Sequence, residues 1–315
     1  MSLVEAAPYF ADVAGGSRDA HAVWLVASDG VRLRAGHWPG SGRGTVLLLP
    51  GRTEVLEKYA EVAATLGGEG WAVLSLDWRG QGLSTRTCRD PGLGHVAQFD
   101  DYQRDIAALL SAAAGMQAAR PWVMLAHSMG GCIGLRTLIH GAPVAAAAFC
   151  APMWGLPLGR AVRLVLQGVA LAGGWRGQAE RAVPGERSDF ALATARFDDN
   201  FLTTDRAQFD RMQAQVRAHP ELALGAPTLG WLAAAVAETA RLAQGPAPTI
   251  PALAAVGSLE KIVDTAAVAA RMQDWPGGRF LSVPGGEHEL MMEAPARRRC
   301  FLDAALALFA AQRAR

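Results

Sequence analysis

The sequence predicts an α/β protein: a mostly parallel sheet with helices on both faces and a helical cap inserted late in the chain. Three observations carry this. Short apolar runs alternate with helix-like segments through the first half of the chain. The rhythm breaks between about Met153 and Pro248, where helix-like segments and loops occur without a convincing strand. It then returns with two more apolar runs before a long C-terminal helix. The implied division is a first part of the core over 1–152, a cap over 153–248 and a second part of the core over 249–315.

The elements follow in order. His21–Val26 and Val31–Ala35 alternate in character and flank Ser28-Asp29-Gly30, a hairpin signal. Thr45–Leu49 is an apolar strand ending at Pro50-Gly51, and Glu57–Leu66 is a short helix closed by Gly67-Gly68. Ala72–Leu76 is the next buried strand and Tyr102–Ala114 the next helix. Trp122–Ala126 is a strand leading into a helix over Cys132–Ile139, and Ala145–Phe149 is another central strand. Within the cap, Arg160–Leu171 and Trp231–Leu242 are helical runs. Ile250–Gly257 is a strand, Thr265–Gln273 a helix, Arg279–Pro284 the last strand and Ala296–Gln312 the closing helix. This order is that of a parallel sheet wound with crossover helices.

Of the 315 residues 51% are hydrophobic and 19% charged, which fits a compact chain with a large core. A net charge of +1 gives no reason to expect a nucleic-acid partner. The basic residues are arginines except Lys58 and Lys261, which reads as codon bias. Cys88, Cys132, Cys150 and Cys300 show neither metal-ligand spacing nor a paired pattern. No signal peptide is read at the N-terminus, and prolines interrupt the longest uncharged stretch, so a soluble, cytoplasmic protein is expected.

The stretch that bears most on chemistry is Leu125-Ala126-His127-Ser128-Met129-Gly130-Gly131. A serine at a strand-to-helix turn is held in strained backbone with its hydroxyl pushed outward. The N–H of Met129 then points where an oxyanion would form, at the positive end of the helix. The pattern is Gly-x-Ser-x-Gly with Ala126 in place of the first glycine. The competing reading is an ordinary turn serine capping a helix, so the serine needs partners.

A nucleophilic serine needs a base and a carboxylate to orient it. His288, in the glycine-rich loop Pro284–Leu290 after the last strand, is the best base. His127 is read as pointing to the other side of the turn, packed or hydrogen-bonded structurally. His37, His95, His140 and His219 lie where no base is needed. Glu260, just past the strand ending at Gly257, is the favoured acid. Asp264 is the alternative acid, although its position suits a cap for the following helix. A second oxyanion donor is expected from the sharp turn after Leu49, where the N–H of Arg52 can face the nucleophile.

These motifs together resemble the lysophospholipase and monoacylglycerol lipase branch of the α/β-hydrolases. Pro50–Tyr59 is similar to that branch's oxyanion segment in its bacterial lysophospholipase form. Asp77–Ser84 resembles its Asp-His-Arg-Gly-x-Gly-x-Ser loop, with Trp78 in place of the histidine. Ala126–Gly131 matches the serine elbow apart from the first residue, and Gly286–Glu293 matches the histidine loop. Gly257–Asp264 matches the acid loop, with Glu260 where the family normally carries aspartate. The extra methylene must be absorbed by a shift of the loop. The resemblance spans both sheet halves, and the cap matches only loosely. It implies an α/β-hydrolase fold, a triad of Ser128, Glu260 and His288, and backbone oxyanion donors at Arg52 and Met129.

The expected reaction is two-step hydrolysis of a carboxylic ester through an acyl-enzyme, without metal or organic cofactor. The resemblance tilts the substrate to lysophospholipid or monoacylglycerol; the residues alone indicate an ester with an apolar part. Apolar cap runs at Leu164–Leu166 and Val169–Leu171 suit an acyl pocket or, equally, packing on the sheet. Arg160, Arg163 and Arg176 suit a phosphate-bearing head group or plain solvation. Three other readings stay open: an aminopeptidase using Asp198, Asp199 or Asp205, a carbon–carbon bond hydrolase, and a non-catalytic binding protein of the same fold. Peripheral membrane contact and oligomeric state are left open.

Overall fold

The computed structural model describes residues 5–16, 19–159, 162, 164, 166, 178–184 and 191–312. The expected segments Arg160, Arg163, Val165, Val169–Leu171 and Arg176 lie outside the described residues. The strands are β1 (Ala6–Ala7), β2 (His21–Val26), β3 (Arg32–Trp38), β4 (Gly44–Leu49), β5 (Trp71–Leu76), β6 (Trp122–His127), β7 (Ala147–Cys150), β8 (Ala252–Gly257) and β9 (Gly278–Val283). They form one sheet in the order β1-β2-β3-β5-β4-β6-β7-β8-β9. The first three strands and the β3–β5 pair are antiparallel, and the remaining neighbours are parallel.

The helices are α1 (Ala11–Ala14), α2 (Ala60–Gly68), α3 (Asp100–Gly115), α4 (Ser128–Ile139), α5 (Ala191–Thr194), α6 (Arg206–Ala218), α7 (Leu229–Gln244), α8 (Thr265–Gln273) and α9 (Pro295–Ala310). A 3₁₀ turn over Leu56–Tyr59 leads into α2. Successive residues of β4 feed opposite faces: Leu47 and Leu49 enter a core with α3, α4 and α8, while Val46 and Leu48 enter one with α2 and α9. That division is the physical reason the strand reads as an unbroken apolar run.

Between β7 and β8 the described residues contain helices but no strand of the sheet, only isolated bridges such as Gly94–Pro227. Not all of this stretch stands apart from the sheet. Along α7, Trp231 donates to the Tyr102 hydroxyl at 3.3 Å, and Glu238 pairs with Arg136 of α4 at 2.9 Å. Leu242 is buried in the same core as α3 and α4.

The strand order reverses at β4, which has β5 on one side and β6 on the other. In open α/β sheets that reversal leaves a crevice beyond the carboxyl ends of the strands, where ligands bind. The turn after β4 and the serine after β6 therefore sit side by side.

Candidate active site

Ser128 is the first residue of α4, and its φ is 47°, the left-handed region that side-chain-bearing residues avoid. Holding it there costs on the order of 1–3 kcal/mol, supplied by the packing around it. The elbow fits because Gly130 has no side chain: a Cβ there would lie 2.3 Å from the Leu49 carbonyl oxygen and 2.4 Å from that of Pro50. Glycine thus lets α4 start directly against the end of β4. Met129, fully buried, occupies the first turn of α4, where N–H groups have no acceptor within the helix. Ala126, which departs from the elbow pattern, is fully buried in β6.

The turn after β4 is held from three sides. Trp78 Nε1 donates to the Pro50 carbonyl at 2.8 Å, so the tryptophan that replaces the family's histidine anchors this turn. Thr53, with φ 64°, donates its N–H to Gln81 Oε1 at 2.6 Å, and Leu56 N–H donates to Asp77 Oδ1 at 3.1 Å. The N–H of Gly51 donates to Glu54 Oε2. Arg52 lies between these anchored amides and lines the same cavity as Ser128. The Asp77–Ser84 loop is therefore scaffold for the turn.

Past β8, Glu260 Oε2 lies 2.8 Å from His288 Nδ1. A carboxylate only accepts, so Nδ1 carries the proton and the neutral ring leaves Nε2 as an acceptor. The other oxygen, Oε1, accepts from the amides of Ile262 at 2.6 Å and Val263 at 3.1 Å. The loop after β8 thus turns back over the carboxylate, and the glutamate side chain spans from these amides to His288. Burial opposes the charge on Glu260, yet the hydrogen bonds from His288 and the two amides outweigh it and hold its pKa below the usual value. The two loops meet closely because Gly257 has no side chain, since a Cβ there would be 2.1 Å from the Gly286 carbonyl oxygen. Asp264 is elsewhere engaged: its Oδ1 accepts from the amides of Ala266 and Ala267 as the N-cap of α8.

Ser128, His288, Arg52 and Met129 line one cavity of about 690 Å³. Its wall is mostly apolar and includes Met153, Leu192, Phe209, Met212, Val216 and Trp231. Within the stretch between β7 and β8, Leu164 is exposed and Leu166 is buried.

Two features were not anticipated from the sequence. The His127 ring lies against that of His288, with centroids 4.7 Å apart, and does not point to the far side of the turn. Its packed, hydrogen-bonded character is as expected: it is buried, its Nδ1 donates to the Cys150 carbonyl at 3.0 Å, and burial pushes its pKa down to about 4. The second is a buried charged cluster. Lys58 Nζ lies 2.6 Å from both Glu54 Oε1 and Glu289 Oε1, and the Tyr59 hydroxyl donates to Glu54 Oε2 at 2.5 Å. The signal was present in the four-residue spacing of Glu54 and Lys58, and in a glutamate directly after the candidate base.

Residues 40–295 match the family model described as serine aminopeptidase, S33. The chain belongs to this family. Among curated relatives it is 32% identical over 298 residues to lysophospholipase L2 of Escherichia coli (strain K12), covering 89% of this chain and 83% of that protein. It is 29% identical over 261 residues to a probable lysophospholipase L2 of Haemophilus influenzae, covering 82% and 80% of the two chains. A soluble variant of monoglyceride lipase from Saccharomyces cerevisiae superposes with a TM-score of 0.68 at 18% identity, covering 90% of this chain and 93% of that one. The expected α/β-hydrolase fold is thus the fold observed. Among the described residues, no helix is long and apolar enough to cross a membrane.

Proposed function

We propose that this family member is a serine hydrolase that cleaves lipid esters, of lysophospholipid or monoacylglycerol type, through an acyl-enzyme. The observation that carries this reading is the strained Ser128 on the wall of an apolar cavity that it shares with a histidine already oriented by a buried carboxylate. Ser128 attacks the ester carbonyl while His288 Nε2 takes its proton. The N–H groups of Met129 and Arg52 receive the oxyanion, where one donor contributes about 3–4 kcal/mol in well-studied enzymes. Glu260 keeps His288 in the required tautomer and stabilises the imidazolium. His288 then returns its proton to the leaving alcohol, and water activated by the same base releases the acyl group. These side chains supply the whole of this chemistry.

The lipid reading draws on the cavity wall and on the named relatives. In this reading 153–248 acts as the cap, with Leu192, Phe209, Met212 and Val216 lining space for an acyl chain. An aminopeptidase would need cap carboxylates to hold the substrate amine. Asp205 is spent capping α6, accepting from the amides of Ala207 and Gln208. Asp199, which lines the cavity, is exposed and lies 3.7 Å from Arg196. The test is a series of p-nitrophenyl and glycerol esters of increasing acyl length, run beside a lysophospholipid and an aminoacyl amide. Rates that climb into the long-chain esters support the reading. Rates that peak at acetyl, or a preference for the amide, overturn it.

A further inference from the structure

The cluster around Lys58 has no part in the chemistry above, yet it touches three of the segments that perform it. Glu54 accepts the Gly51 N–H, which belongs to the turn beside the oxyanion site. Glu289 directly follows His288 in the chain. His127 directly precedes Ser128, and its Nε2 lies 3.5 Å from Glu54 Oε1. Lys58 reaches both carboxylates, at 2.6 Å each, and its side chain is 8% exposed.

Burying three charges costs several kcal/mol of solvation per ion, and well-packed apolar side chains of similar volume would stabilise a fold as well or better. Fold stability alone is therefore a weak reason for this arrangement. Glu54, His127 and Glu289 place ligand atoms within 4.8 Å of one another, as a metal site would. Here the Lys58 ammonium is the cation between the two carboxylates.

We propose that Lys58 is a positioning residue: through Glu54 and Glu289 it locks the turn after β4 to the loop that carries His288, setting the distance between base and oxyanion site. The proposal rests on the Ser128–His288–Glu260 reading given above. The two carboxylates are not equivalent. Glu54 accepts from Lys58, Tyr59 and Gly51, whereas Glu289 Oε2 is buried without a partner among the described residues. Glu289 also brings a carboxylate close behind His288. The groups around His288 include Glu260 from the loop after β8, His127 from the end of β6, the Cys150 thiol at the end of β7 and Glu289 on its own loop, with Lys58 and Glu54 behind Glu289. Replacing Glu289 by glutamine leaves the Lys58–Glu54 pair intact, reduces the tie to the histidine loop from an ion pair to a hydrogen bond on the amide oxygen, and removes one negative charge that favours the imidazolium.

The experiment compares wild type with Lys58→Met, Lys58→Arg and Glu289→Gln, all checked for folding by thermal melts. Two quantities are read: the rate of fluorophosphonate labelling, and kcat and KM on a soluble ester as functions of pH. In Lys58→Met, kcat falls roughly 10- to 100-fold with KM little changed, the scale of loss for small misplacements of catalytic groups, and Glu289→Gln, whose amide oxygen still accepts from Lys58, shows a smaller fall in the same direction. Lys58→Arg recovers most of the rate, and the acid limb of the Glu289→Gln profile moves to lower pH. If Lys58→Met does not fold, Glu289→Gln alone decides. Labelled wild type with a folded Glu289→Gln that keeps the wild-type kcat and acid limb overturns the positioning role only. Folded wild type that is not labelled at all instead removes the Ser128 reading on which it rests.

Discussion

Glu260→Gln is the substitution whose consequence the geometry specifies most closely. Both carboxylate oxygens accept: Oε1 from the amides of Ile262 and Val263, and Oε2 from His288 Nδ1. An amide at this position must turn its NH₂ toward one of those donors. Facing the two backbone amides places it against two N–H groups that cannot move. Facing His288 places it against one, and that conflict is relieved when the ring moves its proton from Nδ1 to Nε2. The second arrangement wins, and it leaves His288 unable to accept the Ser128 proton. The equivalent change in a serine protease lowers kcat about 10⁴-fold for this reason. Glu260→Asp fails differently. Losing one C–C bond of about 1.5 Å stretches the 2.8 Å contact with His288 to roughly 4 Å, beyond hydrogen-bond range. A loss on the order of 10²-fold follows. The assay is kcat on a soluble short-chain ester at neutral pH, with melts to confirm folding. If Glu260→Gln keeps kcat within an order of magnitude of wild type, the tautomer argument is wrong.

Three further variants extend these tests with activity assays, labelling and melts. Asp264→Asn retains activity and loses at most about 1 kcal/mol of stability, since asparagine also caps helices; a collapse of kcat in this variant would transfer the acid role to Asp264. Gly130→Ala forces a methyl against two backbone carbonyls at 2.3 and 2.4 Å, so denaturant melts should show a loss of about 1–3 kcal/mol together with slowed labelling of Ser128. For His127, burial lowers the pKa from 6.5 to about 4 in the folded protein. A depressed folded value means its stabilising contribution is present above 6.5 and lost as pH falls toward 4. The wild-type Tm should therefore fall across that window, and His127→Gln should flatten part of the fall; an unchanged slope would mean that His127 is not neutral in the fold.

The sheet was legible because its central strands are buried on both faces and so read as unbroken apolar runs, as in Val46–Leu49 and Val123–Ala126. Helix ends were legible where a side chain caps them, as Asp264 does for α8, whose span Thr265–Gln273 was expected. The stretch between β7 and β8 was harder to divide. Trp231 and Leu242 have the helical spacing of a cap segment, and only the fold shows them packed against α3 and α4. The contact between Glu260 and His288 was within reach because both follow strands directly, whereas Asp264 had a competing role as a cap. The Lys58 cluster was not foreseen as a unit: Glu54 and Lys58 are four residues apart, but no periodicity links that pair to Glu289.

The measurement that bears most directly on the central claim is reaction of the folded protein with a fluorophosphonate, followed by peptide mass mapping. The account predicts one adduct, on the Ser128 peptide, that disappears in Ser128→Ala and forms far more slowly in Glu260→Gln. Folded wild type that forms no adduct, or an adduct that persists in Ser128→Ala, would contradict it.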